Sequence, residues 1–280
     1  MTTFVAWVGV DSRGVASINF GTDSRISWDR AGRTHWDSAR KTFSASLSPD
    51  IFGYVNDVAF PSMILGQVVS AIDNGGMFAN HETLEARLNK VVELIKNSHR
   101  DFPSQYKESF CIFHAARRGS GLASEFALNT ITWEKKESKW LIQNLEIPKV
   151  SSTIAVDGSG KRSLDKWADR WNSSSQGGTS RAVFSSFCNA VYSGEDKLTN
   201  GAPQLVSLYR KGGGKTIGYV DCGKKYISGM EIFCSSGIPN DNVEWRNKYF
   251  ERCDISGNLI RGAKKHHVPK GLTGPSHRPT

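Results

Sequence analysis

Residues 4–8, Phe-Val-Ala-Trp-Val, constrain the fold more than any other stretch, because they follow Met1-Thr2-Thr3 with no polar leader. Four of the five are aromatic or β-branched, the side chains that suit a pleated, half-buried surface. Chain ends are poorly ordered unless something ties them down. A strand beginning here therefore holds Thr2 and Thr3 at the rigid end of a sheet. The plainer expectation is an N-terminal edge strand with no chemistry. The sharper one is that removal of Met1 leaves Thr2 with an α-amino group and a hydroxyl on adjacent carbons, a known route to an activated nucleophile.

The pattern continues with a turn signal, "VDSRG", and a second strand over Val15–Phe20, which together predict a hairpin. Residues 22–48 are polar with short alternating runs, and "DIFGYVND" reads as another short strand. Residues 58–73 predict an apolar helix with Pro61 in its first turn, where the missing N–H costs least. Leu84, Leu88, Val91, Val92 and Ile95 recur at helical spacing and predict a second helix over 82–97. "SFCIFHAARRG", "ASEFALNTITWEK" and "KWLIQNLEI" read as strands, and "SSTIAVDGSG" as a strand ending in a glycine turn. Helical patterns return at 163–173 and 180–193, followed by strands on either side of the loop "KGGGK". Strands, two helices, strands, two helices and strands suit an α+β layered domain. The expected fold is a four-layer αββα sandwich, two antiparallel sheets between two helix layers. The main domain is expected over 1–224, with a C-terminal extension over 225–260 and a basic, disordered tail over 261–280.

No apolar run reaches the roughly 18 to 20 residues that span a bilayer, and no basic segment followed by an apolar one marks a secretory signal. Cys111, Cys188, Cys222, Cys234 and Cys253 show no Cys-x-x-Cys spacing, which favours free thiols in a reducing compartment and argues against zinc. The chain is read as cytoplasmic. Its formal charge of +9 invites a nucleic-acid reading. Much of that excess sits in residues 261–280, where Arg261, Lys264, Lys265, Lys270 and Arg278 stand without an acid. Three prolines and three glycines there predict a solvated tail, so a nucleic-acid partner is not expected.

Several motifs fail on spacing. "RKGGGKT" would need glycine at 209 to be a phosphate loop, and Tyr209 stands there. The seven histidines, among them His81, His266 and His267, show no metal spacing, and no Gly-x-Ser-x-Gly elbow occurs. Three features fit together better. "GTDSR" ends the second strand and brings Asp23, with its neighbour Arg25, beside Thr2. "SARKTF" carries Lys41 into an apolar run, and a buried lysine needs a partner such as Asp23. "AVDGSGKRSL" sets Ser159 between two glycines at a strand-to-helix turn. Each alone reads more simply as a surface aspartate, a snorkelling lysine and a turn serine.

Jointly, the sequence resembles the proteasome β-type peptidases of the N-terminal nucleophile hydrolase superfamily, especially bacterial proteasome-like peptidases that begin Met-Thr-Thr. "TTFVAWVG…INFGTDSRIS" resembles their opening hairpin, which implies Thr2 as nucleophile and Asp23 as its aspartate. "SARKTFSAS" is similar to the segment bearing the catalytic lysine, matching Lys41, and "AVDGSG" to the turn whose serine approaches the threonine amine, matching Ser159. "DKLTNGAPQLVSLY" resembles the Asp-x-x-Ser-Gly-Gly stretch, with Asp196 and Thr199 in supporting positions. The resemblance covers roughly residues 2–220. The departures are a longer first turn, Thr199 in place of serine, residues 100–150 and 225–280 beyond the family core, and "FGYVND" where the family has Ala-Gly. The oxyanion donor is therefore left among Gly53, Tyr54 and Val55.

The resemblance implies a threonine peptidase. The Thr2 hydroxyl attacks a peptide carbonyl and passes its proton to its own α-amine, whose ordinary pKa of roughly 7.7 to 8.0 suits a general base. Lys41 favours ionisation of the hydroxyl, Asp23 compensates Lys41, and Ser159, Asp196 and Thr199 orient the amine. No metal or organic cofactor is required. The implied partners are a peptide or unfolded-protein substrate, further copies of the chain in a homo-oligomeric ring, and an ATP-dependent unfoldase, with no membrane. The alternatives are an inactive scaffold of the same fold and a basic nucleic-acid-binding module.

Overall fold

The computed structural model describes residues 2–29, 31–79, 82–233, 243–265 and 267–272. Met1, His81, Cys234, His266 and the end of the expected tail, 273–280, lie outside them. The opening apolar run forms β1 (Phe4–Asp11), which turns at Ser12-Arg13 into β2 (Gly14–Thr22), with Asp11 opposite Gly14. Gly14 takes φ +101°, a conformation that glycine adopts without strain. A small hairpin follows, β3 (Ile26–Ser27) with β4 (His35–Trp36), and then β5 (Thr42–Ala45) and β6 (Asp50–Asn56).

The predicted helices form close to their expected bounds: α1 (Ala59–Asp73), α2 (Leu84–Asp101), α3 (Lys161–Asn172) and α4 (Ser180–Tyr192). Thr83 and Thr179 start α2 and α4 by accepting the N–H groups of Ala86 and Ala182, both at 3.1 Å. Between α2 and α3 run β7 (Phe110–Arg118), β8 (Glu125–Glu134), β9 (Lys139–Leu145) and β10 (Ser152–Asp157). After α4 come β11 (Gln204–Tyr209), β12 (Lys215–Asp221), β13 (Lys224–Ile227), β14 (Met230–Glu231), β15 (Trp245–Asn247) and β16 (Arg252–Cys253). No described helix is long and apolar enough to cross a membrane.

This architecture corrects the α+β four-layer αββα expectation. The described residues hold sixteen strands against four α-helices, in three sheets of nine, five and two strands. The class is mostly β. The main path of the large sheet runs β10-β1-β2-β11-β12-β13-β14, with β15 joined parallel to β12 and β16 to β15. The five-stranded sheet runs β5 to β9 in chain order. The added strands come from stretches without a long hydrophobic period. Residues 26–36 pair over only two positions, and the strands of 224–253 are two to four residues long, β13 and β15 held by pairing to β12, and β14 and β16 by pairing to β13 and β15, rather than by their own pattern.

Nor is β1 an edge strand, since β10 and β2 flank it and Phe4, Val5, Ala6, Trp7 and Val8 are completely buried. One apolar cluster packs α3 and α4 on the large sheet through Trp7, Trp167, Trp171 and Phe184. A second packs α1 and α2 on the five-stranded sheet through Phe52, Ile64, Val91 and Phe110. The third joins the two sheets through Phe4, Phe20, Phe113 and Val206, with the Phe4 and Phe113 rings stacked at 4.0 Å. Of the stretch expected as a solvated tail, Leu272 is buried in the first cluster, and its carbonyl accepts from Asn189 Nδ2.

Candidate functional site

Thr2 and Thr3 sit at the head of β1, between the end of β2 and the turn into α3. The Asp23 N–H donates to Thr3 O at 3.3 Å and the Gly160 N–H donates to Thr2 O at 3.5 Å. Glycine is required at that turn. A Cβ on Gly158, which has φ +94°, would lie 1.9 Å from Thr2 O, and one on Gly160 would lie 1.7 Å from Thr3 Oγ1. The threonines are held by backbone closer than any side chain allows.

The Asp23 carboxylate is completely buried and accepts four donors. Lys41 Nζ at 2.8 Å and the Thr3 N–H at 2.9 Å reach Oδ1, while the Arg25 and Asn200 N–H groups at 3.0 and 3.3 Å reach Oδ2. That uses the four lone-pair directions of a carboxylate. Lys41 is equally buried. Burial pushes its amine below the ordinary lysine range, and the negative charge of Asp23 pulls it part of the way back. The amide nitrogen joining Thr2 to Thr3 thus shares one acceptor atom with the lysine ammonium.

Asp196 gathers a second group: Ser159 Oγ and Thr199 Oγ1 donate to its Oδ2 at 2.8 and 2.7 Å. Thr199 Oγ1 is also 2.8 Å from Thr3 Oγ1, so this group meets the first through Thr3. The hydroxyl of Thr2 is buried and has no hydrogen-bond partner among the described residues. All six residues singled out in the sequence, Thr2, Asp23, Lys41, Ser159, Asp196 and Thr199, therefore belong to one connected region. Gly53 is a different matter. It lies inside the ladder, opposite Thr42 and Phe113, and its missing side chain leaves room for the Phe4 ring, which a Cβ would approach to 2.6 Å. Tyr54 donates its hydroxyl to Arg40 O at 3.0 Å, and burial pushes that phenol well up, while Val55 packs between the sheets.

Sequence reasoning missed Thr3, Asn200 and Gln204, and the Arg25 fork on Asp37 at 2.6 and 2.8 Å, whose third arm reaches Lys197 O. Thr3 could have been found by the same adjacency that found Thr2; Gln204 carries no local signal beyond a polar residue opening an apolar strand. Of two openings, the first is lined in part by site residues and the second by none of them. One, of ≈ 380 Å³, is lined by Ser159, Asp196, Arg162, Ser163, Lys166 and Glu195. The other, of ≈ 820 Å³, is walled in part by Ile26, Ser27, Trp28 and Val58, just after Arg25 in the chain. Among the described residues, no three His, Cys, Asp or Glu side chains are grouped to hold a metal ion. No protein-family model and no curated protein matches the chain.

Proposed function

We propose that the protein is a threonine-type amide hydrolase acting on peptides, with Thr2 as nucleophile once the Met1–Thr2 bond is cut. The observation that carries this reading is the buried Thr2 hydroxyl, one residue before the Thr3 N–H that binds Asp23 of a fully buried lysine–aspartate pair. Leaving a buried hydroxyl unpaired costs about 1–3 kcal/mol. Resemblance of the Thr2, Asp23, Lys41, Ser159, Asp196 and Thr199 motifs to proteasome β-type peptidases supports the same reaction class. In the reaction, Thr2 Oγ1 bonds to the substrate carbonyl carbon and its proton moves to the freed α-amine. The amine then protonates the leaving nitrogen, and water hydrolyses the acyl ester. The Lys41 ammonium, fixed by Asp23, lowers the cost of negative charge on Oγ1. The four unpaired cysteines among the described residues, three of them buried, accord with a reducing compartment such as the cytoplasm.

A second reading, an inactive scaffold, is favoured by one observation: Thr2 and Lys41 expose no surface. The two are separated by mass spectrometry of the intact protein before and after a β-lactone or an epoxyketone, with a peptide-cleavage assay alongside. The hydrolase reading expects loss of Met1, a covalent adduct on Thr2, and no adduct or cleavage in Thr2→Ala. Retained Met1, or wild-type protein that forms no adduct, refutes it in favour of the scaffold.

A further inference from the structure

The side chain of Gln204, at the start of β11, lies beneath the lysine–aspartate pair and is 1% exposed. Its orientation follows from its neighbours. The backbone N–H of Lys41 can only donate and faces Oε1 at 2.9 Å; the carbonyls of Asp23 and Ala39 can only accept and face Nε2 at 3.2 and 2.6 Å. Nε2 also meets Ser24 Oγ at 3.0 Å, and Thr42 Oγ1 reaches Oε1 at 3.4 Å. One amide thus spans the two segments that carry Asp23 and Lys41, reinforcing the backbone hydrogen bond from the Ala39 N–H to Ser24 O at 3.0 Å that also joins them. From below, the turn between β13 and β14 closes on it. Ser228 and Gly229 both take positive φ, and a Cβ on Gly229 would lie 2.2 Å from Ser24 Oγ and 3.0 Å from Gln204 Nε2.

We infer that Gln204 is a positioning residue for Lys41, a clamp that sets the lysine against Asp23 and that the β13–β14 turn locks in place. It acts through other groups and touches no reacting atom. The charged groups around Lys41 are Asp23 in direct contact and Asp37 and Asp196 further off. A carboxylate at position 204 would add a fourth negative charge and turn an acceptor toward the carbonyls that Nε2 now holds. Loss of the clamp frees Lys41 from its place, whereas a filler residue would only loosen the sheet.

As catalysis, the inference rests on the peptide-hydrolase reading, so the test includes a readout independent of it. Gln204→Glu and Gly229→Ala are compared with wild type by three measurements: thermal melting, the NMR titration of the Lys41 amine (assigned with Lys41→Arg), and the pH profile of peptide cleavage. The expected result is that Gln204→Glu titrates Lys41 at higher pH and carries the alkaline limb of the cleavage profile with it. Gly229→Ala is expected to lower cleavage at least tenfold in protein that remains folded. Variants that melt earlier but leave the Lys41 titration and the profile unmoved overturn the inference and make Gln204 a structural residue. If neither variant folds, Gln204→Asn, which keeps both amide groups on a shorter arm, takes their place and must move the same titration. Should wild-type protein form no Thr2 adduct, the hydrolase reading fails alone, and the titration still decides the clamp.

Discussion

Replacing Lys41 by methionine removes the ammonium and keeps an unbranched chain of nearly the same length. Both partners of the pair are fully buried, so the change leaves a carboxylate without its cation in the interior. Breaking such a pair costs about 3–5 kcal/mol. Two features set where in that range the loss falls. Asp23 keeps three backbone N–H donors, from Thr3, Arg25 and Asn200, which hold part of its charge. It can also take up a proton, and at pH 7 protonating a carboxyl with an ordinary pKa of about 3.9 costs about 4 kcal/mol, which caps the penalty. Lys41→Met should therefore lose about 3 kcal/mol in urea unfolding at pH 7, with an unchanged dependence on urea concentration. Because the variant's carboxyl has a raised pKa in the folded state, the deficit grows as pH rises and should shrink to about 1 kcal/mol near pH 4.5. In an Asp23→Asn background the same replacement should cost at least about 2 kcal/mol less, since no charge is stranded. A loss below about 0.5 kcal/mol at pH 7, or one that does not change with pH, would refute the account of the pair.

Gly160→Ala should cost at least about 2 kcal/mol, because its Cβ would meet Thr3 Oγ1 at 1.7 Å and Thr3 Cβ at 2.9 Å, whereas Gly66→Ala in α1, with nothing nearer than Phe43 at 4.0 Å, should stabilise by about 0.5–1 kcal/mol. Equal melting temperatures for the two would count against the fit described at the α3 turn. His99 is 3% exposed and packed by the rings of Phe60, Phe110, Trp133 and Trp140, and burial pushes its pKa down to about 4. The unfolded chain then binds the proton first, so stability should fall as pH drops from about 6.5 to about 4, by roughly 2 kcal/mol after allowing for screening. Wild type and His99→Phe losing the same stability over that interval in urea titrations would exclude this cause.

The helices were legible because their signal is local. Leu84, Leu88, Val91, Val92 and Ile95 mark one face of α2 wherever it packs, and the buried members are Val91, Val92 and Ile95. Lys41 was legible for a related reason, since a lysine running into Thr42-Phe43 has to meet an acid. Thr3 and Gln204 were not, because their partners are set by register. Gln204 faces Thr22 across the β2–β11 pair, and only that alignment carries its amide to Asp23 and Lys41. The fold class was misjudged on the same ground. β13 to β16 are too short to show a period of two, and they exist because β12 offers open hydrogen-bonding edges.

The order of the strands also sets an order of assembly. The five-stranded sheet with α1 and α2 is drawn from one continuous stretch, residues 42–145, and its strands pair in sequence. The hairpin of β1 and β2 finds its outer neighbours only in β10 and β11, and the bonds that complete the site close loops of 196, 177 and 163 residues, Thr3 to Thr199, Asp23 to Asn200 and Lys41 to Gln204. Loops of that length form late, because their entropy is lost before any contact repays it. During synthesis from the N-terminus, Asp23 can meet Thr3 and Lys41 early, across separations of 20 and 18 residues, but the bonds to Thr199, Asn200 and Gln204 wait until that later stretch is made. Pulse-labelled hydrogen exchange during refolding should show β6 to β8 protected ahead of β1 and β2, and simultaneous protection would contradict that order. In the proposed hydrolase, the surroundings of a nucleophile taken from the first residues would be completed only once residues 196–204 have joined them.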